Sequence, residues 1–164
     1  MSFDYKTKLE EYIKNNYIPE VKEKKSFFAY AMAEAVAEVS QKKRQLSDVV
    51  GQVGMTFSQR LFAFIDEKGL TNAEVYKRAG IDRKLFSKIQ CDAGYRPSKK
   101  TALALCVALE LNLDETKDLI ARAGYALSPS SVFDLIIEFF IENEVYDFYT
   151  INNALYEHNE KTLT

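Results

Sequence analysis

The sequence predicts an all-α protein, and two observations carry that expectation: turn residues are scarce, and apolar side chains recur at helical spacing. Glycine and proline together number nine in 164 residues, where average usage gives about 20. A sandwich or barrel of short strands needs more turn residues than that. Apolar residues make up 47% of the chain and charged residues 28%, a mixture that builds a core instead of remaining disordered. The length suits one domain, or one small domain with a helical annex.

The elements follow in order. Tyr5, Leu9, Tyr12 and Ile13 give the i, i+4, i+7, i+8 stripe of an amphipathic helix, interrupted at Pro19. A second stripe, Phe28, Met32, Ala35, Val36 and Val39, lies in an alanine-rich run with high helix propensity. Gly51 and Gly54 mark a boundary near residues 47–55. From residue 56 the start and stop signals become dense. Thr56-x-x-Gln59 and Thr71-x-x-Glu74 are capping boxes, in which the threonine hydroxyl accepts from the third amide and the longer side chain reaches back. The first opens a helix with Phe57, Leu61, Phe64 and Ile65 inward, stopping at Gly69; the second opens a short helix ending at Gly80.

Asp82 is placed to cap a helix through about Cys91, with Ile81, Phe86 and Ile89 inward and Arg83, Lys84, Ser87 and Lys88 on the other face. Pro97-Ser98 introduces the next, whose apolar residues are Leu103, Leu105, Cys106, Leu109 and Leu111. Asp114 is expected to cap another, carrying Leu119, Ile120 and Ala123 and stopping at Gly124. Ser128-Pro129 begins a further helix, with proline at the tolerated first position. Asp147 or Thr150 caps the last, which ends near His158.

The formal net charge of −2 hides a polarity. Residues 70–100 hold eight basic side chains against three acidic, and residues 101–164 hold three basic against eleven acidic. A basic block followed by an acidic tail reads either as a hint of function, with the block open to a polyanionic partner, or as two differently solvated faces of one bundle, and charge alone does not choose between them.

Several function classes are excluded by composition. The longest apolar run, Ala102 to Leu109, has eight residues, against about 20 for a membrane span. The first twelve residues carry Asp4, Lys6, Lys8, Glu10 and Glu11, so no cleavable signal is expected there. Cys91 and Cys106 do not read as a disulfide framework; they are expected to be small apolar side chains in a reducing cytoplasm. His158, the one histidine, rules out a two-histidine metal site and is expected at the surface. A hydrolytic triad would rest on that residue alone, and no phosphate loop is present, so neither an enzyme nor a cofactor is expected.

The informative unit is the pair of short helices meeting at Ala79-Gly80. A helix as short as the first is not stable alone, so its neighbour must pack across it, the arrangement of a helix-turn-helix. Glycine permits the sharp turn through positive φ. With Phe86 and Ile89 committed inward, Arg83, Lys84 and Lys88 project outward from a rod that fits the major groove.

The stretch LTNAEVYKRAGIDRKLFSKI (Leu70 to Ile89), continuing through Arg96-Pro97-Ser98 and ALALCVALELNLDETKDLI, resembles the DNA-binding domain of the xenobiotic-response-element family. That family has the lambda-repressor/Cro-like fold of five helices. The resemblance covers about residues 56–123 and implies a five-helix domain over 56–124. An N-terminal helical extension (1–55) and a C-terminal helical annex (125–164) flank it.

Carried over by position, the resemblance implies base reading by Arg83, Lys84, Ser87 and Lys88, and phosphate contacts by Asn72, Arg96, Lys99 and Lys100. Asn72 stands where the family usually has glutamine. The chain departs at Asp82, where serine or threonine is commoner, and at Tyr76, where the family has a small residue. Tyr95 is placed either to stack on a sugar or base or simply to cover apolar surface.

The annex is rich in aromatics: Phe133, Phe139, Phe140, Tyr146, Phe148, Tyr149 and Tyr156. Two readings stand side by side, packing within the monomer or a dimer interface. The expected function is sequence-specific binding of double-stranded DNA by a homodimeric, cytoplasmic transcriptional regulator of the repressor type. The alternative is a protein-interaction or antitoxin-like adaptor that binds a protein partner through residues 128–158.

Overall fold

The computed structural model describes residues 5–19 and 54–164, and every regular element among them is a helix. In chain order these are α1 (Tyr5–Asn16), α2 (Phe57–Glu67), α3 (Asn72–Arg78), α4 (Arg83–Cys91), α5 (Lys99–Ala108), α6 (Leu113–Arg122), α7 (Val132–Glu142) and α8 (Phe148–Glu157). The Phe28–Val39 stripe and most of the boundary expected at 47–55 lie outside the described residues.

Local chemistry sets where the helices begin. The Thr56 hydroxyl accepts from the Gln59 amide at 3.3 Å, and Gln59 Oε1 accepts from the Thr56 amide at 2.9 Å. Thr71 and Glu74 repeat the reciprocal pair at 3.3 and 2.8 Å. Ser98 and Asp147 cap α5 and α8. Each cap satisfies an amide that the first helical turn leaves without a partner.

Two starts differ from expectation. Asn112, not Asp114, caps α6, because Asn112 and Glu115 form a further capping box with both bonds at 2.9 Å. Asp114 falls inside the first turn, where negative charge suits the helix dipole. Likewise α7 begins at Val132 behind Ser131, since Ser128-Pro129 belongs to a preceding turn. There the Ser128 carbonyl accepts from Ser131 N at 3.1 Å and the Pro129 carbonyl from Ile18 N at 2.9 Å.

The run Ala102–Leu109 is buried at every position, which makes α5 the central helix of the core. It packs on α3 and α6; α6 also meets α2 and α7; and α7 is flanked by α1 and α8. Tyr12 meets Phe139 edge-on at 5.3 Å between ring centres, and Tyr5 meets Phe140 at 5.6 Å. The aromatic face of α7 is therefore enclosed within the chain. Residues 55–164 and α1 belong to one compact unit, so the first helix joins the C-terminal annex although a long stretch of sequence separates them.

His158 departs from its expected surface position. Its side chain is 18% exposed, Nδ1 lies 2.8 Å from the Ala154 carbonyl, and Nε2 lies 3.3 Å from Glu10 Oε1. Cys106 is buried as expected, whereas Cys91 is exposed at the end of α4.

Two carboxylates give the fold an acid limit. Hydrogen bonds from Arg122 (2.8 Å), with Arg60 beside it (3.0 Å), hold the Asp118 carboxyl below the usual range. The Thr150 hydroxyl and amide do the same for Asp147. A depressed folded-state pKa contributes stability that is present above the unfolded value of about 4 and lost as pH falls through the folded one. The urea midpoint is therefore expected to fall below about pH 4. Asp118→Asn should flatten that decline, and an unaltered slope in this variant would remove Asp118 from the account.

Candidate nucleic-acid interface

The α3 and α4 helices are joined by a turn that only some residues can make. Gly80 has φ +62°; its amide donates to the Lys77 carbonyl at 3.2 Å, and Ile81 N donates to Tyr76 O at 2.9 Å. A left-handed residue here lets the chain reverse without straining a Cβ. Ala79 beside it is 1% exposed.

From that turn α4 is anchored along one side. Phe86 packs edge-on against Phe62 of α2 at 5.8 Å and in a tilted pair against Tyr76 of α3 at 5.7 Å. This contact gives the large Tyr76 side chain a partner on α4. Ile89 is fully buried, and its carbonyl accepts from the buried Ser58 hydroxyl at 2.5 Å. Ser58 thereby holds the last turn of α4 from behind. No periodic pattern points to this residue, because a serine within an apolar stripe reads as a gap in it.

The opposite side carries the charge. Arg83, Lys84, Ser87 and Lys88 are all exposed, and among the described residues none of the three cations has an ion-pair partner. Nearby carboxylates are engaged elsewhere. Asp82 caps α4 by accepting from Lys84 N at 2.6 Å, so its negative charge sits on the helix amides. Asp92 accepts from Gly94 N at 3.0 Å, and Glu74 belongs to its capping box.

Beyond α4, the Lys88 ammonium lies 4.6 Å from the centre of the half-buried Tyr95 ring. Tyr95 thus covers apolar surface and at the same time steadies Lys88, a cation–π contact. Arg96 and Lys100 are exposed, and Asn72 is half-buried at the first position of α3.

Lys99 is placed differently from its expected phosphate role. Its ammonium lies 2.5 Å from Asp134 Oδ2 of α7, an oxygen that also accepts from Ser128 N at 2.9 Å. Asp134 is 1% exposed, so Lys99 ties the start of α5 to the annex.

Among the described residues, no group of three or more histidine, cysteine, aspartate or glutamate side chains could hold a metal ion. None of the described helices is long and apolar enough to cross a membrane. No protein-family profile, curated protein or solved structure matches the chain.

Proposed function

We propose that the chain binds double-stranded DNA in a sequence-specific manner, placing α4 in the major groove as a transcriptional regulator. The carrying observation is the two-sidedness of α4. Phe86 and Ile89 fix it to the core, while Arg83, Lys84, Ser87 and Lys88 face outward with no carboxylate neutralising them. On this reading α2 to α6 make up the five-helix reading domain of the lambda-repressor/Cro-like kind. Arg83 and Lys84 address guanine O6 and N7, the commonest basic-residue contact in the groove. Asn72, Arg96 and Lys100 hold phosphates and set the register.

Selection from random duplexes, followed by gel shift at moderate salt, tests the proposal; no enriched sequence would sink it. Binding should weaken linearly in log affinity against log salt, with a slope of about −0.9 per phosphate neutralised. Lys100→Ala is expected to reduce that slope by about one and to weaken selected and random duplexes alike.

A second reading, an adaptor that binds a protein partner, is favoured by α8. Tyr149 and Tyr156 are 82% and 76% exposed and seven positions apart, hence on one face. With α7 enclosed, that face is the part of the annex open to a partner or to a second copy. A homodimer meeting there would present two copies of α4 to half-sites about 34 Å apart.

A further inference from the structure

After α8 the chain turns back at Asn159, whose φ is +58°, and the Glu160 amide closes the turn on the Leu155 carbonyl at 2.9 Å. The following residues carry no apolar periodicity, yet Leu163 is 3% exposed and belongs to the core. Asn152 on α8 holds this segment with both ends of its amide. Its Oδ1 accepts from Leu163 N at 2.7 Å, and its Nδ2 donates to Thr164 Oγ1 at 2.8 Å. The Thr162 hydroxyl donates to the Thr164 carbonyl at 2.8 Å.

The segment ends against the α3–α4 turn. A Cβ placed on Gly80 would lie 2.7 Å from Thr164 Cγ2 and 3.1 Å from Thr164 Cβ, and among the described residues no other atom beyond Gly80 and its two chain neighbours comes within 4 Å of that point. The turn glycine is therefore covered by Thr164, and Thr164 is held by Asn152.

We propose that residues 159–164 form a strap, anchored by Asn152, that holds the α3–α4 turn and couples α8 to the start of α4. The coupling has a short physical path. Asn152 fixes Leu163 and Thr164, Leu163 plugs the core, and Thr164 presses on the residue from which the chain enters α4. Release of the strap takes Thr164 off Gly80, and the turn opens more often while the rest of the core stays packed. If the chain reads DNA as proposed, a partner that seizes the outer face of α8 could loosen the pose of Arg83 and Lys84 without touching either. Asn152 is a positioning residue in this scheme.

Amide hydrogen exchange on the full chain tests the strap. The Gly80 and Ile81 amides are hydrogen-bonded within the turn and report its opening directly. In Asn152→Ala the Leu163, Gly80 and Ile81 amides are expected to exchange about tenfold faster, while α6 and α7 hold their rates. Asn152→Asp should restore protection, because a carboxylate can accept from both the Leu163 amide and the Thr164 hydroxyl. Three results overturn the proposal: a freed Leu163 amide with Gly80 and Ile81 unchanged, no change at Leu163 itself, or uniform acceleration through α6 and α7. No DNA enters this measurement, so a failed strap and a failed DNA-binding assignment are told apart.

Discussion

Replacing Lys99 with methionine is expected to lower the unfolding free energy by about 3 kcal/mol, read as a lower urea midpoint with an unchanged slope. The cause lies on the other side of the pair. Asp134 is buried, and its carboxylate is held by the Lys99 ammonium and the Ser128 amide. Removing the cation leaves a buried charge with one neutral donor, and such uncompensated charges cost more than the intact pair contributes. Lys99 is 29% exposed in its side chain, which puts the expected loss at the lower end of the range for buried pairs. The double variant Lys99→Met/Asp134→Leu should recover most of the loss, since an apolar pair of similar size replaces both charges. A loss below about 1 kcal/mol in the single variant would mean that Asp134 finds water on its own.

The second large effect concerns affinity. On a selected duplex, Arg83→Ala should weaken binding by about tenfold to a hundredfold, the range for a lost bidentate contact to a base. On random duplexes of equal length the loss should be only severalfold, because non-specific binding rests on phosphate charge, to which many residues contribute. Arg83 is the first residue of α4, directly after its Asp82 cap, so the substitution removes an exposed side chain and no core contact. Fluorescence anisotropy at one fixed salt concentration gives both numbers. Equal losses on the two kinds of duplex would assign Arg83 to the backbone and leave base reading to Lys84, Ser87 and Lys88.

What was legible in the sequence was local. Thr56-Gln59, Thr71-Glu74, Asp82, Ser98 and Asp147 announce helix starts through groups at most three residues apart, and each does so in the structure. Asn112 and Asp114 illustrate the limit. Both are good cap residues, and only the reciprocal bond with Glu115 selects Asn112. Farther-reaching contacts left no mark. Lys99 meets a carboxylate 35 positions away, and a lysine that follows Pro-Ser in a basic block looks the same whether it faces a phosphate or an aspartate. The docking of α1 on α7 joins opposite ends of the chain, so neither stripe alone names its partner. Leu163 shows no periodicity because it is the single inward residue of a short irregular segment. The outward face of α4 was legible because an amphipathic helix shows two sides at once, one periodic in apolar residues and the other in charge.

The two sulfur atoms differ in a way that is useful at the bench. The chain has only Cys91 and Cys106. Burial pushes the Cys106 thiol up to about 12, so it holds almost no reactive thiolate near neutrality. Cys91 is accessible at the last residue of α4. A maleimide dye should therefore attach at one place without any engineered cysteine, leaving a fluorescent reporter at the end of the helix proposed to enter the groove.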